Sequence, residues 1–127
     1  MVSRNPQYWL EKWSRRKTGF PIATIAYYGE DDKVASKVVV GIVLSEKDDD
    51  VAFMEKWYGK KADVRFDSEI KVHIVNFLEQ HNVHRVVMAD RIIGCPHEEG
   101  IDYPEGEKCP QCPFWANRDR WTGEAIN

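Results

Sequence analysis

Three cysteines and one histidine carry the most specific chemistry in this chain. They read Cys95-x-His97, then eleven intervening residues, then Cys109-x-x-Cys112. Each pair can donate two ligand atoms from one tight turn, and the Gly/Pro-rich loop between the pairs can fold back on itself. That spacing predicts a tetrahedral Zn2+ ion with Cys3His ligation. Pro96 and Pro110 follow the first cysteine of each pair and keep the chain out of helix where the donors must converge. Three thiolates and one imidazole fill a tetrahedron and leave no position for water, so the predicted metal is structural.

Other uses of the cysteines fit less well. A disulfide framework takes an even number in a secreted chain, and three leaves one over. A buried free thiol is an ordinary core residue, but a Cys-x-x-Cys bracketed by Pro110 and Pro113 is a poor way to fill a core. A redox dithiol at Cys109 and Cys112 calls for a strand running into a helix, and no helical period follows Cys112.

Carboxylates crowd the same region: Asp90 at the exit of the last predicted strand, then Glu98, Glu99 and Asp102. In open α/β sheets, ligands bind beyond the carboxyl ends of strands. If one of the four donors stood back, a zinc-bound water with Glu98, Glu99, Asp102 or Asp90 as general base would make a zinc-dependent hydrolase. His97-Glu98-Glu99 followed by Cys109-Pro110-Gln111-Cys112 resembles the His-x-Glu and Pro-Cys-x-x-Cys signature of zinc nucleobase deaminases. The resemblance covers residues 97–112. It implies His97, Cys109 and Cys112 as ligands and Glu99 as proton shuttle, with Cys95 left over. Lys108 stands where the signature has proline, and eleven residues are too few for the helix and strand which that family places between its halves. Neither a glycine-rich phosphate cradle nor a nucleophile-elbow serine occurs.

The elements that must position these residues can be read in order. Asn5-Pro6 reads as an N-cap and first helical residue, opening a helix to about Lys17 that stops at Gly19. Trp9, Leu10 and Trp13 share one face of it, and Lys12, Arg15 and Arg16 lie around the other. Residues 20–28 and 36–44 read as a strand hairpin. The uninterrupted apolar run Val38–Leu44 predicts burial on both faces, with helices on both sides of the sheet. Asp48-Asp49-Asp50 reads as acidic capping of a helix carrying Val51, Met54, Trp57 and Tyr58, in preference to a magnesium site. Residues 62–66 read as a short strand. Ser68 then caps a periodic helix bearing Ile70, Ile74, Phe77, Leu78 and His81, which ends near Asn82. Residues 85–89 read as the closing strand of a βαβ unit. His73, His81 and His84 have no ligand spacing to one another, and Trp115 and Trp121 are expected to pack back over the metal loop or the sheet edge. The predicted fold is α/β, with α+β as the alternative: a mixed sheet of about four strands with helices on its faces and a zinc-binding loop at the C-terminal end.

At 127 residues with 43% apolar side chains, the chain is long enough for a real core. One domain is expected over 1–127: a basic aromatic helix (1–19), an α/β core (20–90), and a zinc loop with a Trp-rich tail (91–127). No apolar run approaches bilayer length and no signal core precedes the first helix, so a cytoplasmic protein without a membrane partner is expected. Thiols reserved for metal agree with a reducing compartment. Charge is uneven. Arg4, Lys12, Arg15, Arg16 and Lys17 oppose only Glu11 at the start, whereas the metal-binding end is acidic. Together these features predict a zinc-stabilised binding or accessory module. Its partner, a nucleic acid or a protein, would be met by Trp9, Lys12, Trp13, Arg15 and Arg16.

Overall fold

The computed structural model describes residues 5–47, 51–59, 62–98, 100–107 and 109–115. The elements are α1 (Pro6–Ser14), β1 (Ile22–Tyr28), β2 (Lys37–Val43), β3 (Phe53–Tyr58), α2 (Ser68–Gln80) and β4 (Arg85–Gly94), with 3-10 turns at Val64–Phe66 and Pro113–Trp115. Asn5 Oδ1 accepts the Gln7 N–H at 3.0 Å and Pro6 opens α1, so the predicted cap is present. The helix closes at Ser14, earlier than expected. On α2 the cap is Asp67, one residue before the predicted Ser68; its Oδ1 accepts the Ile70 N–H at 3.1 Å. Asn82 adopts the left-handed conformation just beyond the helix end (φ 54), a position that asparagine tolerates.

The sheet order is β3-β2-β1-β4. β2 pairs antiparallel with β1 and β3, and β4 pairs parallel with β1. The fold is thus α+β with a mixed four-stranded sheet. Strand alternation sends Ala23, Ile25, Val38, Val40, Ile42 and Val86 to one face. There they join Leu10 and Trp13 of α1 and Ile70, Ile74, Val75 and Leu78 of α2 in one buried cluster. Both helices cover this same face. The opposite face of β2 is covered by loops instead. Val51 lies so close over Gly41 that an added Cβ would come within 3.0 Å of its Cγ1, and the chain beyond β4 crosses Lys37.

Two predicted elements take another form. The segment with Val51, Met54, Trp57 and Tyr58 is the edge strand β3, not a helix. Here β2 offers a row of backbone donors and acceptors from Lys37 to Ile42, and pairing them outweighs the local helical period. Trp57 still reaches the core, edge-on to Phe77 of α2. The proposed Asp48–Asp50 cap lies outside the described residues. Residues 62–66 are not a strand: Val64–Phe66 form a 3-10 turn capped by Asp63, and the parallel partner of β4 is β1 from the N-terminal hairpin.

Asp63 explains that turn. Its carboxylate accepts the backbone N–H groups of Arg65 (2.9 Å) and Ala35 (3.1 Å) and the Arg65 guanidinium (2.6 Å), and Arg65 also donates to Lys33 O. Burial alone would raise the Asp63 pKa. Hydrogen bonds from the Arg65 side chain and from the Ala35 and Arg65 backbones override it and hold the group at about 2, against an ordinary 3.8. A carboxyl whose folded pKa is depressed stabilises fully above its unfolded value and loses that contribution as pH falls toward the folded one. Asp63→Asn is therefore expected to cost about 2 kcal/mol at neutral pH in urea unfolding. The gap from wild type should close as pH drops from about 4 toward 2; a pH-independent gap would assign the loss to packing instead of charge.

Candidate metal centre

The C-terminal half of β4 aims the site. Its register against β1 jumps between Ile25↔Met88 and Tyr27↔Ile92, and shifts again at Tyr28↔Gly94. Extra residues in one strand bend it and increase its twist. Asp90 and Arg91 fall in this irregular stretch, which lets β4 run on to Gly94 where the sequence predicts an end at Asp90. Gly29 N donates to Gly94 O at 2.9 Å, fixing the strand end against the β1–β2 turn. Cys95, Pro96 and His97 follow directly.

The second clip is tied to the same place. Trp115 N donates to Cys112 O at 3.1 Å, and the Trp115 indole Nε1 donates to Gly29 O at 2.7 Å. Gly29 therefore anchors both ends of the loop. Trp115 packs against the core, where the sequence led us to expect contact with the metal loop or the sheet edge; Trp121 lies outside the described residues. Between the clips the loop bonds to itself. Asp102 Oδ2 accepts Glu98 N at 2.7 Å, Asp102 N donates to Glu98 O at 2.8 Å, and Gly100 N donates to Tyr103 O at 2.8 Å. Gly100 has φ +82, a conformation that glycine adopts without strain.

The four residues singled out by spacing come together. One ligand atom from each of Cys95, His97, Cys109 and Cys112 lies within 4.8 Å of all the others, a group that could hold a metal ion. His97 Nδ1 faces all three sulfurs, at 3.2 Å from Cys95 and 3.4 Å from both Cys109 and Cys112. His97 N also donates to Cys95 Sγ at 3.3 Å. Cys112 is buried and the other three are half-buried. Burial pushes the Cys95 and Cys112 thiols above their ordinary pKa, and the neighbouring sulfurs push Cys112 further. Without a cation, the thiolate form is disfavoured.

A second group, invisible in the spacing, lies beside the first. Lys37 is 4% exposed and its ammonium donates to Pro96 O at 2.9 Å, between Cys95 and His97. The rings of Tyr28 and Tyr58, its cross-strand neighbours, flank it at 5.7 Å each. Lys56 donates to Glu98 Oε1 at 2.6 Å, and Glu98 Oε2 stands 3.9 Å from Lys37. The Lys56 hydrogen bond holds the Glu98 carboxyl below its ordinary range and raises Lys56 in turn. The one sequence signal was a lysine opening an otherwise apolar strand.

The remaining candidates are placed as follows. Glu98 is engaged by Lys56, and Asp102 is engaged by the Glu98 backbone. Asp90 lies within β4, and Glu99 lies outside the described residues. On α1, Trp13 is 6% exposed and belongs to the core, so it offers no contact surface. Trp9 packs against that core with the Lys12 ammonium 4.7 Å above its ring. Arg16 donates to His84 O at 2.8 Å, and Arg15 is exposed. His73, His81 and His84 are scattered: His73 faces Glu69, His81 lies tilted against Phe53 and edge-on to Phe77, and His84 meets Arg16. Comparison with protein-family models, with curated proteins and with solved structures finds no match to this chain.

Trp115 carries much of the attachment of the second clip. Trp115→Ala removes a half-buried indole and the donor to Gly29 O, with an expected cost of about 2 kcal/mol. Protease cleavage between residues 100 and 112 should rise before global unfolding does; cleavage rising only with global unfolding would show that the loop is held by other contacts.

Proposed function

We propose that this protein is a zinc-stabilised binding module whose Cys3His metal is structural. The observation that carries the reading is the single imidazole nitrogen facing three sulfurs at 3.2–3.4 Å. A ring nitrogen has one proton or one lone pair, so it can satisfy one sulfur by hydrogen bonding, not three. A shared tetrahedral ion accounts for all of them: Zn–S near 2.3 Å and Zn–N near 2.0 Å separate sulfur from nitrogen by about 3.5 Å. Soft thiolates favour zinc over hard divalent cations. Bound zinc would also offset the cost of ionising buried thiols. Four donors complete a tetrahedron, and Glu98 and Asp102 are committed to other partners; both points support a structural role over hydrolysis.

For the partner surface, support comes from α1 and the sheet edge beside it. Exposed Arg15 shares a groove of about 600 Å³ with Glu11, Ser14, Arg85 and Val86–Met88. β4 ends the sheet order, so its outer edge can accept a further strand. An extended, acidic protein segment fits this surface. Nucleic acid fits less well, because neither tryptophan of α1 presents an open ring for base stacking.

Protein purified under reducing conditions is expected to carry about one equivalent of zinc, and its cobalt form should show the visible spectrum of a tetrahedral thiolate centre. Less than about half an equivalent, or a cobalt spectrum reporting bound water, would overturn the structural assignment. Arg15→Ala should weaken binding to an acidic peptide more than to single-stranded RNA in a salt series. Salt-sensitive RNA binding that tolerates Arg15→Ala would count against the surface assigned here.

A further inference from the structure

The pocket beside the metal loop has features that zinc ligation does not require. It encloses about 290 Å³ and is lined by Lys37, Lys56, Tyr28, Tyr103, His97 and Glu98, with Val39 and Met54 as its apolar members. Lys37 is almost fully buried there, and an ammonium has three protons to place. Pro96 O takes one. The only carboxylate within 4.0 Å of Lys37 among the described residues is Glu98, whose nearer oxygen stands at 3.9 Å, beyond hydrogen-bonding reach. If Nδ1 of His97 ligates the metal, the remaining ring proton sits on Nε2, making this pocket-lining ring a donor as well.

We infer that this pocket binds a small oxyanion, with a carboxylate as the favoured class, in exchange for the side chain of Glu98. Glu98 itself demonstrates the chemistry: one carboxylate spans Lys56 and Lys37, touching the first and approaching the second. Its side chain is 36% exposed, so it can leave toward solvent. Exchange also conserves charge. Two ammonium groups and one carboxylate facing a zinc–thiolate centre of formal charge −1 already balance, so an extra anion would leave an uncompensated negative charge, whereas a replacement anion leaves the sum unchanged. A free anion, not limited by the tether of residue 98, could sit deeper and hydrogen-bond both ammonium groups. Val39 and Met54 would accept an apolar substituent on it.

Metal-loaded, isotopically labelled protein would be titrated with acetate and with inorganic phosphate. Chloride at matched ionic strength is the control, with the Lys Cε and Tyr ring resonances as readout. Saturable shifts at Lys37 and Lys56 are expected with acetate. Glu98→Gln removes the internal competitor and should tighten binding about two- to fivefold, the measure of a half-exposed ion pair. Lys56→Met should weaken it by a similar factor, and it carries the test if Glu98→Gln does not fold. Shifts no larger than those of chloride, or an affinity unchanged in these variants, would overturn the proposal. A response to phosphate alone would overturn the carboxylate assignment. Zinc is measured on the same samples: full occupancy without an anion response sinks only this inference, and an anion response without zinc sinks only the metal assignment.

Discussion

Three sulfur atoms crowd one imidazole nitrogen beyond β4, and the described residues of the loop from Cys95 to Trp115 are arranged around that crowding. Beyond Ile92, Cys112 is the only apolar side chain among the described residues that is fully buried. The segment from Cys95 to Trp115 therefore has almost no hydrophobic core of its own to offset the entropy of fixing some twenty residues. A cation among the thiolates would replace that missing core, as small metal domains do. The protein has invested in the geometry, since both clips are fastened to the carbonyl and amide of one residue, Gly29.

Lys37 connects this loop to the sheet. A buried ammonium is costly unless its protons are met. Its register position between Tyr28 and Tyr58 supplies two aromatic faces, and Pro96 supplies an acceptor in the middle of the first clip. The loop in turn covers Lys37 and removes it from water. Each half makes the other tolerable, which joins the Cys3His cluster to the strand beneath it. Lys56 and Glu98 close the rim of the same pocket, where partial exposure keeps the ion pair weak and exchangeable.

Placing both helices on one sheet face leaves the other face for the loop. α1 docks through Leu10 and Trp13 beside α2, so its aromatic stripe is spent on packing, while Arg16 is held at the entrance to β4. Among the described residues of this region, Arg15 is exposed, Lys12 lies above Trp9, and a groove runs between α1 and β4. The basic helix is thus a docked element with a narrow exposed rim.

Local spacing by itself determined the Cys3His quartet, the Asn5 cap, the β1–β2 hairpin, the α2 periodicity and the start of β4. In each case the decisive partners lie within a few residues, or, as with the two Cys clips, the chemistry admits few arrangements. Only the tertiary structure decided that residues 53–58 extend along β2, that β4 pairs with β1, and that residues 62–66 turn around Asp63. Those outcomes rest on unpaired backbone groups and on a carboxylate whose acceptors are claimed from Ala35, 28 positions away. The burial of Lys37 and Trp13 belongs with them: a residue's type states what it can do, and only the neighbours brought from elsewhere in the chain determine which of its atoms remain available to do it.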